Sequence, residues 1–313
     1  MKMSESRIHY FHDELIKAFG SRVQKICLDG GFTCPNRDGT KAVGGCTFCD
    51  ASGSGAAHIV RAADIRSQVA QQIDRCRARY GTEQFIAYFQ AFTNTYAPVD
   101  RLRELYDAAL EDPRVVGLSV GTRADCIDEE VCALLRSYSD TRRVWVEIGI
   151  QTINQTTLDA MNRAETVDDY RRAARLVKSA GLELVVHVIF GLPAETEEDA
   201  LATIAFVNEI GADGIKIHNL YIDSHAPIAK QWREGRIELW ERQRYTQTVA
   251  DALELLRWEC AVHRLTGQAP RSRHLAPIWA LEKTAIHREI ESILAERGTY
   301  QGCRAGSTLR RLT

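Results

Sequence analysis

At 313 residues, 45% of them hydrophobic and with a formal charge of −2, the chain is long enough to bury a large core and too evenly charged to be a disordered acidic or basic tail. No stretch approaches the ~20 apolar residues of a membrane span, and the N-terminal MKMSESRIHYFHDELIKAFG puts His, Asp and Glu where a secretory signal needs an apolar run. A cytoplasmic location is expected, and nine cysteines there are not a disulfide framework, since glutathione keeps such thiols reduced.

In chain order, a helical segment over 1–22 precedes a first strand at VQKICL (23–28). Helices near 61–79, 99–111, 128–138, 167–180 and 197–210 then alternate with strands at FIAYFQ (85–90), VVGLSV (115–120), VWVEIGI (144–150), LVVHVIF (184–190) and GIKIHNL (214–220). Short, nearly continuous apolar runs alternating with segments of helical period are the pattern of βα units around a parallel sheet. Six units are too few to close an eight-unit barrel, so the expected fold is α/β, a partial six-unit βα barrel over 23–221. The remainder, 222–313, is expected as a C-terminal helical extension covering the barrel, with helices near 238–257 and 280–296.

The loop after the first strand, TCPNRDGTKAVGGCTFCD (33–50), carries Cys34, Cys46 and Cys49 in a C-x11-C-x2-C spacing. It sits at the carboxyl end of a strand, where βα barrels build their active sites. A structural zinc would want a fourth ligand, which Cys27 could supply. Three thiolates would leave one iron of a 4Fe-4S cluster open for chemistry. Spacing alone leaves both open. Cys76, Cys126, Cys132, Cys260 and Cys303 are scattered and read as ordinary small residues. Glu147, His187, Lys216 and His218 lie inside expected strands, where an ionisable group costs free energy unless paired. They either satisfy one another in a polar core or mark a site at one rim.

With these residues in view, CPNRDGT…GGCTFC, YFQAFTNTY, VGTRADC, EIGIQT, HVIFGLP, GIKIH and HRLTG…LAPIW, spread from about residue 8 to 303, together resemble the YhcC/YtqA-like family of radical S-adenosylmethionine (SAM) proteins, relatives of the Elongator-type enzymes. The resemblance implies a radical SAM partial barrel, a 4Fe-4S cluster on Cys34, Cys46 and Cys49, and SAM as cofactor, cleaved to a 5′-deoxyadenosyl radical. Cys27 has no counterpart in the family motif. Phe48 resembles the aromatic packed near adenine. By superfamily analogy, Gln90 and Thr93 would hold the methionine amine of SAM, Thr122, Arg123 and Asp125 its ribose or carboxylate, and Gln151 the adenosine side.

Within the family, some members resemble wobble-uridine maturation enzymes, which implies a tRNA substrate and an electron donor such as flavodoxin or ferredoxin. Glu147, His187, Lys216 and His218 are then the candidate catalytic residues facing the substrate, with His263, Arg264 and Arg273 reaching the nucleic acid. A small-molecule substrate, another fate for SAM, and a zinc-stabilised binding module remain alternatives.

Overall fold

The computed structural model describes residues 6–53 and 64–306. The start of the expected helix at 61–63, residues 1–5 and the closing LRRLT fall outside them. The chain separates into two compact units: His12–Gly149 with Ala164–Val185, and Met1–Phe11 with Ile150–Arg163 and Val186–Thr313.

Nine strands and ten α-helices occur among the described residues. The strands are β1 (Val23–Leu28), β2 (Gln84–Phe89), β3 (Val115–Thr122), β4 (Arg143–Gln151), β5 (Glu183–Phe190), β6 (Gly214–Asn219), β7 (Ile222–Asp223), β8 (Ala261–Arg264) and β9 (His274–Ala276). The helices are α1 (Phe11–Phe19), α2 (Ile65–Tyr80), α3 (Val99–Leu110), α4 (Glu129–Tyr138), α5 (Gln155–Ala160), α6 (Val167–Ser179), α7 (Glu197–Glu209), α8 (Ile228–Arg233), α9 (Arg242–Leu255) and α10 (Lys283–Arg297). One sheet carries seven strands in the order β1-β2-β3-β4-β5-β6-β8. That order is sequential because each crossover helix returns the chain to the neighbouring position.

In the first unit β1, β2 and β3 pair in parallel, as do β3 and β4. Both faces are covered, so β2 buries Phe85 through Phe89 without interruption, as a parallel strand must. Gly117 is required where β3 meets β4, because a Cβ there would stand 2.7 Å from the Trp145 ring. Helix starts are set locally: the Asp64 carboxylate caps α2 by accepting from the Ser67 amide, and Thr166 and Asp169 close a capping box on α6, each satisfying amides the helix cannot.

The second unit shows what the sequence reading missed. The C-terminal segment is not purely helical. Its β8 joins the sheet beside β6 in parallel, and β7 pairs with β9 antiparallel. Two or three residues of pairing leave no readable period, and β8 reads AVHR, with two polar residues in four. Around these strands α9 packs on α7 and α10, and buried Gln301 donates to the carbonyls of Arg257 and Cys260.

Candidate active site

In the first unit, the chain leaving β1 is pinned by α2. The Gln68 amide donates to the Asp29 carbonyl at 3.0 Å and accepts from the Asp29 amide at 2.9 Å. The cysteine loop then folds back on itself. The carbonyl of Cys34 accepts from the amides of Arg37 and Asp38, that of Asn36 from Gly45 at 2.8 Å, and that of Cys46 from Cys49 at 3.0 Å. The eleven residues between Cys34 and Cys46 thus form a closed hairpin that returns Asn36 to the side of Cys46. Gly45 has φ +78°, and a Cβ on it would stand 2.8 Å from Arg37 Nε, so only glycine admits this turn.

Two side chains of the hairpin face the cysteine turn. The Asn36 amide, fully buried, donates to Cys46 Sγ at 3.4 Å. The Arg37 guanidinium donates to the carbonyls of Asp50 and Cys49 and lies 5.4 Å from the centre of the Phe92 ring. None of Cys34, Cys46 and Cys49 is in a disulfide; Cys46 is buried and the other two are partly exposed, with Phe48 partly exposed between the last two. Among the described residues, no three His, Cys, Asp or Glu side chains converge as a cage for one ion. Cluster ligation does not require that, because each thiolate binds a different iron.

The ends of β2 and β3 adjoin this loop. The Thr93 amide donates to the Thr33 carbonyl at 3.2 Å, and the Gln90 amide to that of Leu28. Phe92 holds φ +59°, a conformation that costs of order 1–3 kcal/mol in a residue with a side chain and collects at functional sites. Thr93 is 1% exposed, yet among the described residues its hydroxyl has no hydrogen-bond partner; neither has the buried Asn94 Oδ1. Orphaned groups of this kind carry a desolvation cost that a bound polar ligand would relieve. Thr122 is occupied by the Thr95 hydroxyl at 2.6 Å.

Arg123 and Asp125 meet each other. Arg123 grips Asp125 in a two-pronged pair at 2.9 and 2.8 Å and lies 3.7 Å from Glu165, whose other oxygen accepts from the amides of Ala124 and Asp125. Lys41 of the cysteine hairpin reaches Asp125 at 3.6 Å. This buried network fixes the loop after β3 and ties it to the hairpin. Beside it, burial and the Asp125 charge push the Cys126 thiol well above its ordinary range, which suits an inert small residue.

Glu147 is likewise paired. Its side chain is fully buried, and one oxygen accepts from both Lys25 Nζ and Ser119 Oγ at 2.5 Å. Lys25 also stands 4.8 Å from the centre of the Tyr88 ring. Glu147 thus meets Lys25, a residue outside the four that the sequence singled out. The signal was one lysine inside the strand VQKICL.

In the second unit, His187 of β5 and His218 of β6 stack with centroids 5.6 Å apart. Gly267 makes room for them: a Cβ there would lie 2.7 Å from His218 Nδ1. The Gly267 amide and the Thr266 hydroxyl both donate to Asn219 Oδ1, fixing the turn against β6. Lys216, two residues before His218, is buried and in register with Arg264 of β8. Gln151 holds φ +65° at the end of β4. Buried Glu195 follows β5, and burial pushes its carboxyl up to about 7, opposed by hydrogen bonds from Thr152 and Thr157.

Of the three tail residues expected to reach nucleic acid, His263 stacks on Phe11 at 3.7 Å and Arg273 pairs with Asp223 at 3.2 Å. Arg264 is exposed. Lys25, Asn36, Arg37, Lys41 and Glu165 were missed in the sequence. All gain their meaning from partners distant in the chain or from the fold of the hairpin.

The Radical SAM superfamily profile matches residues 34–207, and the Radical SAM C-terminal domain matches 212–296. The chain belongs to the radical SAM superfamily. It is 39% identical to YtqA of Bacillus subtilis over 96% of this chain and 93% of that protein, and 38% identical to YhcC of Escherichia coli K12 over 96% of each. It is also 27% identical to Elongator complex protein 3 of Drosophila melanogaster, over 50% of this chain and 28% of that one. In fold it resembles the archaeal Elp3 of Methanocaldococcus infernus, with TM-score 0.68 at 16% identity, covering 90% of this chain and 65% of that one.

The sheet is that of the radical SAM partial barrel, and the protein is a radical SAM enzyme that uses a 4Fe-4S cluster and SAM and needs an electron donor. Among the described residues no helix is long and apolar enough to cross a membrane.

Proposed function

We propose that this radical SAM enzyme acts on the wobble uridine of tRNA, converting its 5-carboxymethylaminomethyl group to 5-aminomethyl. The observation that carries the reading is the His187, His218 and Lys216 group in the second unit, two stacked imidazoles and a buried ammonium suited to a carboxylate. Relatives titled tRNA uridine(34) acetyltransferase support the substrate class; the one from Dehalococcoides mccartyi is 26% identical over 61% of this chain and 40% of its own length.

Cys34, Cys46 and Cys49 would hold the cluster, whose three thiol donors fit the iron–sulfur donor set. The Thr93 hydroxyl and the Asn94 side-chain oxygen, buried and orphaned among the described residues, would take the polar methionine end of SAM with Gln90, while Phe48 would face its adenosine. Thr122, Arg123 and Asp125 shape that wall through the pairs they already make. When bound, the two cofactors supply one-electron cleavage of SAM and a primary-carbon radical.

Lys216, His187 and His218 orient the uridine's carboxylate so that the adjacent methylene is the hydrogen presented. Loss of that hydrogen atom and then of one electron leaves an imine, which water splits into the aminomethyl uridine and glyoxylate. The electron released equals the one consumed in cleaving SAM, so no outside oxidant is needed. Exposed Arg264 supplies part of a local phosphate contact, and binding weakens with salt in proportion to the few phosphates met.

Mass spectrometry of tRNA nucleosides from a deletion strain tests this. The carboxymethylaminomethyl nucleoside should accumulate, and purified enzyme with SAM and reductant should convert it. Identical nucleoside profiles, in an organism without a redundant pathway, would remove the tRNA reading and favour a small-molecule substrate.

A further inference from the structure

The long spacing between Cys34 and Cys46 has a structural consequence that the cluster's ligand count does not explain. The hairpin it forms is held by the Gly45 amide on the Asn36 carbonyl, and this contact places the Asn36 side chain beside a sulfur rather than in solvent. Asn36 is 0% exposed, and its amide nitrogen stands 3.4 Å from Cys46 Sγ. A buried amide directed at a thiolate is a stronger electrostatic contact than the same pair in water, and hydrogen bonds to cluster sulfurs are among the main determinants of cluster potential.

We infer that Asn36 is a positioning residue that sets the cluster's reduction potential by donating an N–H to Cys46 Sγ. The physics gives the sign. Reduction adds negative charge that delocalises onto the thiolate sulfurs, and a donor aimed at one of them stabilises the reduced cluster more than the oxidised one. The donor therefore raises the potential and eases the electron transfer that precedes SAM cleavage. Arg37, bonded to the carbonyls of Cys49 and Asp50, ties the hairpin to the same turn at the residue next to Asn36.

The inference rests on Cys46 being a cluster ligand. That premise is checked separately by iron and sulfide content of Cys46→Ala, which must fall; a full cluster there would defeat the premise rather than the role of Asn36.

The test is a potentiometric titration of the holoenzyme followed by electron paramagnetic resonance, without substrate, for wild type, N36L, N36D and N36Q. N36L removes the donor, and N36D keeps the size while replacing donor by charge. Both should retain iron yet reduce less readily, with about a tenfold smaller equilibrium constant for reduction in N36L, which is 59 mV for one electron, and a larger drop in N36D. N36Q keeps a donor and should recover part of the loss. In deuterated buffer, wild type should show an exchangeable deuteron coupled to the cluster that N36D lacks.

Unchanged potentials in iron-replete N36L and N36D would overturn the inference. If N36L loses its iron, N36D, of the same size, decides. Loss of the cluster in both, with N36Q restoring neither iron nor potential, would also overturn it, since Asn36 would then shape the loop without tuning it.

Discussion

The Lys25–Glu147 pair is a charge contact inside the sheet, and breaking it one side at a time should be costly. Glu147 has no exposed side-chain surface and Lys25 is 20% exposed, with nitrogen and oxygen 2.5 Å apart. Lys25→Met would take this cation from a carboxylate buried against Ser119, for which the cost is about 3–5 kcal/mol. The residual hydration of Lys25 argues for the lower end, about 3 kcal/mol, or roughly two orders of magnitude in the folding equilibrium.

Replacing both residues by apolar ones of similar volume, Lys25→Met with Glu147→Leu, should recover most of that loss, because the desolvation of both charges disappears with their attraction. Urea denaturation of the anaerobic protein, read by circular dichroism, measures all four corners of the cycle. The double variant should also keep reductive SAM cleavage without substrate, and its turnover of substrate tests whether Glu147 acts beyond its pair with Lys25. A Lys25→Met protein within about 0.5 kcal/mol of wild type, a surface-like value, or a double variant no more stable than the single one, would refute the reasoning.

Glu195 gives a pH dependence. Its carboxyl is pushed by burial up to about 7 in the fold, from an ordinary 4.5, so the folded state binds the extra proton between those values. Stability should be fullest below about pH 4.5 as far as this group is concerned, fall by about 3 kcal/mol as pH rises through 7, and then level off; Glu195→Gln should flatten that limb in melts run across the range. Gly45→Ala, forced to φ +78° and 2.8 Å from Arg37, should cut iron incorporation several-fold while Gly44→Ala, which meets nothing within 4 Å, costs less, as iron assays of both would show. Glu165→Ala removes the acceptor of two backbone amides and a neighbour of Arg123; SAM binding by calorimetry should weaken at least tenfold with the cluster intact, and unchanged binding would show that the loop after β3 does not form part of the SAM wall.

The strands and crossover helices were legible because buried parallel strands leave long apolar runs and the intervening helices keep their period; β2 through β6 begin and end within two residues of expectation. The cysteine loop was legible because three thiols in one glycine-rich turn have no core function. What the sequence hid depends on pairing at a distance. Glu147 stood out as an ionisable residue in a strand, but its partner Lys25 lies 122 positions away. Arg123 and Asp125 looked ready for a ligand, while Glu165, 40 or so positions later, shows them engaged with the protein itself. Strands β7, β8 and β9 span only two to four residues, too short for a period to register.

The claim on which the rest depends is that Cys34, Cys46 and Cys49 carry the cluster. Iron and acid-labile sulfide analysis with Mössbauer spectroscopy, on anaerobically purified wild type and the alanine variants of Cys27, Cys34, Cys46 and Cys49, tests it most directly. The account predicts one cluster of about four iron and four sulfide in wild type and Cys27→Ala, and none in the other three. A cluster lost with Cys27, retained without any one of the three loop cysteines, or replaced by zinc without sulfide would contradict it.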